Sequence, residues 1–559
     1  MCGIWALINL NKNKQDISKY LTDFWAIHRR GPDYSCFETF PQAWLGFHRL
    51  AIMDKTFSSN QPYIFQEKQR TIAFICNGEI YNFKELIDNY QLDIEGNCDC
   101  MTIPKLYLKF TNEKSINEFY NLFDKEIKGE FAFVLIEFDH LKNLRKVIVG
   151  RDQIGIRPLY YHKPNNDTKN LLFTSEIKGA HNFDGQIDEF EPGTINTFEL
   201  DEFGDLQIDV YNYQWVYDVK QLELTEEQYL LNIRTAVINS VRRRLDSDRP
   251  IAFLLSGGVD SSLVAAIASR IVNQPIKTFC CGMEGATDFE YARKVAEHIG
   301  SHHEEVYFTE QDGLDVLSDV VYATETWDTT TIRASTGQFL VSKHIGTKTD
   351  YKVVLVGEGP DEVCSSYLFN WYAPDGDSLD AAAKEYVKKI HYFDSKRGDR
   401  CISYWGLEGR VPLLDPEVIE AYWNIPSEMR MPKYRNMEKW WLRKAFDGMD
   451  LLPDEILWRK KEAFSDGVSS KTRSWYEIIQ EECDRNLKEE DMVYDIDAFN
   501  YNKPVTKESY YFRQLFVKHF GENRHNIIPN YWLPKWNTNG EEVNEYMDPS
   551  ARVLNVYDD

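Results

Sequence analysis

The sequence predicts two domains of different class: a strand-rich α+β domain, then an α/β domain on a doubly wound parallel sheet that ends in helices. Length is the first reason, because 559 residues exceed what a single ordinary core organises. The second is the texture of the first 200 residues. Short apolar runs (Ile4–Leu10, Thr71–Cys76, Phe131–Phe138, Lys146–Gly150 and Leu171–Thr174) are separated by turn residues and by helical stretches such as Ile17–His28 and Asn82–Tyr90. The third is the change after Tyr213. Glu226–Leu245 reads as a long helix, and strand-like and helical pieces then alternate. Ile251–Leu255, Ile276–Gly282, Glu304–Phe308 and Lys352–Val356 read as strands, and Ser261–Val272 and Asp288–Gly300 as helices between them. From Ala381 onward helices dominate. The boundary falls near residues 205–225, so the expected domains are 2–205 and 206–559.

Composition narrows the function. With 43% hydrophobic and 27% charged residues and plentiful Tyr, Phe and Trp, the chain reads as globular. A net charge of −25 without a basic tract argues against a nucleic-acid substrate. An acidic protein that handles ATP needs Mg²⁺ and locally placed Lys and Arg. Ten cysteines without paired spacing suggest reduced thiols and a cytoplasmic location, and no second cluster or His pair completes a zinc set around Cys98 and Cys100. No signal peptide and no apolar stretch near 18 residues is visible. The expected partners are small molecules, with a homodimer as the oligomer kept open.

Cys2 is the first chemical candidate. If Met1 is trimmed, Cys2 carries a thiol and a free α-amine on one Cα. An α-amine of reference pKa about 7.7–8.0 is partly unprotonated near neutrality and can take the thiol proton. Around it stand Arg29-Arg30-Gly31-Pro32-Asp33, then His48-Arg49-Leu50-Ala51-Ile52 with Met53 after it. Asn77-Gly78-Glu79-Ile80-Tyr81-Asn82 and Gly96-Asn97-Cys98-Asp99 complete the set. A free amino acid needs a cation for its α-carboxylate, which Arg49 offers as a bidentate fork, and anions for its α-ammonium, which Asp99 and Glu79 offer. Asn77 and the Gly78 N–H are candidate oxyanion donors. Singly, each segment reads better as a surface ion pair, a helix cap or a turn glycine.

Taken in order, CGIW, RRGPD, HRL, NGEIYN, GEFAF and GRDQIGIRPLYY resemble the class II, N-terminal-nucleophile glutamine amidotransferase domain over residues 2–200. The resemblance implies an α/β/β/α sandwich, with Cys2 as nucleophile. Arg49, Glu79 and Asp99 would bind glutamine within a pocket that includes Leu50, Ala51, Ile52 and Met53. Asn77 and Gly78 would form the oxyanion hole. Met101 departs from the acidic residue of many relatives.

In the second half, Ser256-Gly257-Gly258-Val259-Asp260-Ser261-Ser262 lies between a strand and a helix, where two glycines and the helix N-terminus make an anion nest. No Gly-Lys-Ser/Thr follows, so this is not a Walker A loop. Val356-Gly357-Glu358-Gly359-Pro360-Asp361-Glu362 follows another strand, and Asp260 with Asp361 could bind Mg²⁺ that bridges phosphates. Thr329–Thr336 adds hydroxyls and Arg333, and Arg459–Gly467 adds a lysine cluster.

SGG-x-DSS resembles the PP-loop of ATP pyrophosphatases. The whole set, with Glu408–Asp415 and Met547–Arg552, resembles the glutamine-hydrolysing asparagine synthetases over nearly the whole chain. That resemblance implies an ATP site at Leu254, Ser256, Gly257, Gly258, Asp260, Ser261, Cys281, Val356 and Gly357. Glu358, Thr330, Arg333 and Lys461 would form and stabilise a β-aspartyl-AMP intermediate. It further implies ammonia released at Cys2 and carried through a dry passage to that intermediate. Cys281, Val356, Pro360 and Cys364-Ser365-Ser366 depart from commoner Val, Ser, Ser and Phe-Gly-Gly. Two alternatives remain open at this level: a relative that amidates or cyclises another carboxylate, and a regulatory homologue without catalysis.

Overall fold

The computed structural model describes residues 1–9, 17–67, 69–162, 170–201, 206–461, 467–470, 473–487, 499 and 501–543. Leu10, residues 462–466 and the 547–552 motif lie outside the described residues. The chain divides into two compact units. One comprises 1–215 with 246–249 and 406–408; the other comprises 216–245, 250–405 and 409–559.

The first unit holds β1 (Gly3–Asn9), α1 (Ser18–Ala26), β2 (Tyr34–Phe40), β3 (Ala43–Arg49), β4 (Tyr63–Gln66), β5 (Arg70–Ile80) and α2 (Phe83–Tyr90). It continues with α3 (Thr102–Glu113), α4 (Ile116–Lys125), β6 (Gly129–Asp139), β7 (Leu144–Arg151), β8 (Tyr160–His162), β9 (Asn170–Thr174), β10 (Ile187–Glu189), β11 (Thr194–Leu200) and β12 (Leu206–Asn212). Two antiparallel six-stranded sheets result, in the orders β10-β8-β9-β1-β3-β2 and β12-β11-β7-β6-β5-β4. Alternation along the strands sends Ile4, Ala6 and Ile8 of β1 and Ala73 and Ile75 of β5 into one shared core. The opposite faces take helices. Phe24 of α1 stacks on His48 at 4.1 Å, and Phe123 of α4 meets Phe131 and Phe133. The layers are therefore α/β/β/α. Strand β1 is buried on both faces, which explains its unbroken apolar sequence. Strand β12 pairs along its length with β11, so the first unit's sheet continues past residue 205.

The second unit begins with α5 (Glu226–Arg243), whose start is closed by a Thr225–Gln228 capping box. There follow β13 (Ile251–Leu254), α6 (Val259–Val272), β14 (Lys277–Gly282), α7 (Thr287–Ile299), β15 (His302–Tyr307), α8 (Glu310–Asp315), α9 (Leu317–Thr324), α10 (Thr329–Lys348) and β16 (Val353–Leu355). After these come α11 (Pro360–Val363), α12 (Gly376–Lys389), α13 (Asp394–Ser403) and β17 (Glu408–Arg410), and then mainly helices. The sheet order is β15-β14-β13-β16-β17, and β13 runs parallel to both β14 and β16. The chain moves outward through β14 and β15, then returns to the other side of β13. That reversal makes the carboxyl ends of β13 and β16 a crevice where such sheets bind ligands. The glycine-rich loops at 255–258 and 356–359 both emerge there.

Candidate active sites

Cys2 leads directly into β1, where Gly3 pairs with His48 of β3. Its thiol lies 3.8 Å from the Leu50 carbonyl, and Arg30 Nε donates to its carbonyl oxygen at 2.9 Å. Burial raises the thiol to about 11, while the neighbouring amine and Leu50 contact pull the other way. Met1 is in place and only 1% exposed. Its amine donates to Leu407 O at 3.2 Å and is lowered by burial to about 6, and its sulfur lies against Arg157 and Arg30.

Leu50, Ala51, Ile52 and Met53 form a buried segment after β3. Asp33 accepts the Ala51 N–H at 2.8 Å and Arg249 donates to Ala51 O at 2.8 Å, which pins the segment. Arg49 spends its two terminal nitrogens on the carbonyls of Met53, Asp54 and Thr56 and on Asn60 Oδ1, so the guanidinium also shapes its own loop. Its positive charge acts, as a minor contribution, on both the Cys2 and the Cys98 thiols. Asn77, Gly78 and Glu79 end β5. Asp99 Oδ2 accepts the Ile80 N–H at 2.6 Å, and the Cys100 thiol reaches Gly78 O at 3.3 Å. The Asn77 amide is fully buried, and neither its oxygen nor its nitrogen has a partner among the described residues. An unsatisfied buried amide costs about 1–3 kcal/mol, which a ligand oxygen would recover.

In the second unit a cavity of about 170 Å³ opens at the reversal point. Leu254, Ser256, Gly258, Asp260, Ser261, Cys281, Val356, Gly357, Glu358, Asp361 and Lys461 all line it. Gly257 lies just behind at φ +76, where any side chain is strained and a Cβ would strike Tyr291. Gly357 is required by approach instead, since its Cβ would lie 2.6 Å from Ser261 N. The second loop thus packs against the backbone of the first turn of α6.

Two carboxylates from those loops converge on one ammonium. Lys439 Nζ lies 2.5 Å from Asp260 Oδ2 and 2.6 Å from Asp361 Oδ1, and Lys461 Nζ lies 2.5 Å from Asp361 Oδ2. Burial opposes ionisation of Asp361, but Lys439 and then Lys461 outweigh it and hold the carboxyl far below the usual range. Burial likewise opposes the charge on Lys439, and Asp260 and Asp361 push its pKa up. Lys439 is a functional candidate that the sequence did not reveal, since it lies alone in Met437-Glu438-Lys439-Trp440 with no motif around it. Asp394 and Arg397, one turn apart on α13, and Gln338 on α10 are also new to the cavity wall.

Thr330 and Arg333 do not line this cavity. Arg333 is engaged by Glu508, at 2.8 Å and 2.5 Å through Nε and Nη2, and lies over the Tyr476 ring. The Thr330 hydroxyl is buried without a partner among the described residues. Burial raises Glu358, with Arg397 acting against it, and Gln338 donates to Glu358 Oε1 at 2.8 Å.

Comparison with known proteins matches both units. Residues 1–220 match the glutamine amidotransferase domain, and residues 232–384 and 373–544 match the asparagine synthase family. Among curated relatives, glutamine-hydrolysing asparagine synthetases from Gallus gallus and Cricetulus griseus are 37% identical and that from Homo sapiens 36% identical. Each alignment covers 100% of this chain and 99% of the relative. The chain belongs to the family of glutamine-hydrolysing asparagine synthetases.

Proposed function

We propose that this protein converts ATP, L-aspartate, L-glutamine and water into AMP, diphosphate, L-asparagine and L-glutamate, acting in the cytoplasm. One observation carries the reading: a cavity in the second unit is lined from both glycine-rich segments, with Asp260, Glu358, Asp361 and Lys461 among its walls. The free state of all ten cysteines is in keeping with a reducing compartment, and no helix among the described residues is long and apolar enough to cross a membrane.

In the first unit the Cys2 thiol, freed of Met1, attacks the glutamine side-chain amide. The oxyanion that forms is received by the Asn77 amide and the Gly78 N–H, ammonia leaves, and water then cleaves the γ-glutamyl thioester. Arg49 faces the α-carboxylate, and Glu79 and Asp99 the α-ammonium. In the second unit Ser256, Gly258 and Ser261 cradle phosphate, and Leu254, Cys281 and Val356 wall the base. Lys439 and Lys461 offset charge as the aspartate β-carboxylate displaces diphosphate from the α-phosphorus. Thr330 and Arg333 would support the intermediate from α10, although neither lines the cavity and Arg333 is paired with Glu508. Glu358 stands beside the acyl phosphate that ammonia attacks.

Asp260 and Asp361 fit a divalent cation. Their oxygens meet at one point that already holds an ammonium, and Asp260 Oδ1 is buried without a partner among the described residues. No cluster of three or more His, Cys, Asp or Glu ligands occurs among the described residues, as suits an ion that completes its shell with phosphate oxygens and water. When bound, Mg²⁺ supplies neutralisation of the departing diphosphate.

Cys2→Ala tests the division of labour. Asparagine formation from glutamine is expected to vanish while formation from ammonium chloride continues at the wild-type rate. Glutamine-dependent synthesis by the variant at wild-type rate would remove Cys2 from the mechanism.

A further inference from the structure

The glutamine-handling residues of the first unit come from three separate stretches of chain. Arg49 ends β3, Asn77 and Gly78 lie near the end of β5, and Asp99 follows the turn at 96–98. The loop that joins β3 to β4 is bonded to all three stretches.

Its near end is held by Arg49, through the Met53, Asp54 and Thr56 carbonyls and the Asn60 side chain. Its middle carries Asp54, buried and at φ +49, a left-handed backbone that Asp tolerates better than most residues. Asp54 N–H donates to Asp248 Oδ2 at 2.8 Å. Asp54 Oδ1 accepts the Thr56 N–H at 2.9 Å and the Thr56 hydroxyl at 2.6 Å. Oδ2 leaves the loop and accepts the Asn97 N–H at 3.0 Å. The receiving turn is shaped for that approach, since Gly96 lies at φ +85 and a Cβ there would strike Asp54 Oδ2. Burial opposes ionisation of Asp54, but the bonds from Thr56 and Asn97 outweigh it and hold the carboxyl well below the usual range. A second tie runs beside the first: the Tyr63 hydroxyl donates to Ser59 O at 3.1 Å and lies 2.8 Å from the Cys98 thiol, next to Asp99.

The far end of the loop reaches β5. The pairing of β4 with β5 ends at Tyr63 and Phe74, so Cys76 lies beyond it. Gln61 takes the place of the missing strand. Its Oε1 accepts the Cys76 N–H at 2.6 Å, and its Nε2 donates to Cys76 O at 3.2 Å. One side chain thus makes the two-bond exchange of an antiparallel pair, on the residue just before Asn77.

We propose that Asp54 and Gln61 are positioning residues of the glutaminase site: Asp54 places Asp99 relative to Arg49, and Gln61 places the Asn77 and Gly78 donors. The inference deepens the glutamine-hydrolysing reading and rests on it. The two arms act at different stages of the reaction. The α-ammonium that Asp99 meets is the same in bound glutamine and in the transition state, so displacing Asp99 weakens binding alone. The oxyanion exists only after the thiol attacks, so displacing Asn77 and Gly78 slows turnover.

The test uses the full-length protein with Met1 removed and follows glutamate release from L-glutamine without ATP. Asp54→Asn keeps the size and the left-handed backbone but loses the charge that holds Asn97. Its KM for glutamine is expected to rise about tenfold with kcat within about twofold of wild type. Gln61→Leu removes both bonds to Cys76. Its kcat is expected to fall about tenfold to a hundredfold with KM within about twofold. Residues that only hold the domain together would lower the active fraction, reducing kcat in both variants at unchanged KM. That result, no change in either variant, or the two patterns exchanged would each overturn the proposal. Should a variant fail to fold, amide hydrogen exchange in ligand-free wild type decides. Asn97 and Cys76 amides that exchange as slowly as strand amides support the ties, and exchange at the rate of exposed amides overturns them. Wild type that releases no glutamate from glutamine would instead bring down the proposed function itself, so the two failures are distinguishable.

Discussion

Lys439 adopts φ +55, a left-handed backbone that costs a non-glycine residue about 1–3 kcal/mol. It begins the short helix Trp440–Phe446 and directs its side chain, 2% exposed, between Asp260 and Asp361. The backbone strain is tolerable because the alternative leaves two half-buried carboxylates without the ammonium between them. Removing the ammonium while keeping the length, as in Lys439→Met, is expected to lower diphosphate–ATP exchange by about a hundred- to thousandfold, the usual effect of losing one transition-state donor. Exchange at the wild-type rate in this variant would make Lys439 purely structural. A second residue-scale outcome concerns Arg333. Its bidentate ion pair with Glu508 is buried, with side chains 3% and 2% exposed. Glu508→Ala strands the guanidinium and is expected to destabilise the second unit by about 3–5 kcal/mol, measured by urea unfolding.

Helix α10 shows how an element places chemistry that none of its residues delivers alone. Asp328 caps it, with Oδ2 accepting Thr331 N at 2.8 Å and Thr331 Oγ1 at 2.7 Å, while Oδ1 accepts Trp532 N at 2.7 Å. Burial raises this carboxyl from 3.8 to about 6. The folded chain therefore holds a proton that the unfolded chain releases between those values, and the contribution to stability falls as pH rises from about 4 to 6. By pH 7 the loss is about 3 kcal/mol relative to the acid side. Asp328→Asn keeps an acceptor and has no proton to lose, so its stability relative to wild type is expected to rise across that window. Thermal unfolding at pH 4, 5, 6 and 7 reads this directly, and a parallel pH dependence in the two proteins would contradict it. The cap fixes the start of the helix that carries Thr330, Arg333 and Gln338.

At the scale of the molecule, chemistry is divided between units that share one chain. Asp361→Asn is expected to abolish ATP turnover from either nitrogen source and leave ATP-free glutaminase activity near wild type; loss of glutaminase activity with normal ATP turnover would reverse the assignment. Much of this layout was legible in the sequence. Short apolar runs bounded by turn residues reveal strands such as β1, β5 and β6, and the glycine loops announce themselves by composition. The junction was harder, because β12 is short and largely exposed, and its pairing with β11 shows that the first sheet continues there. Lys439 and Asp394 were not legible for a different reason. Their meaning arises from contacts across 179 residues for Lys439 with Asp260 and 27 for Tyr367 with Asp394, and no local pattern encodes such a meeting. Arg333 illustrates the converse, since its motif is plain and Glu508, 175 residues away, decides what the guanidinium touches.

The buried methionine ahead of Cys2 sets an order in time. Cys2 is followed at once by the central strand of a sheet, and Met1 is enclosed with its amine bonded to a carbonyl. A peptidase needs that residue extended and exposed, so a chain that folds with Met1 in place has closed the opportunity to lose it. On the mechanism proposed above, exposure of the Cys2 amine would have to come before β1 pairs with β3. A population of molecules that missed that step would be permanently silent toward glutamine, however perfect its fold.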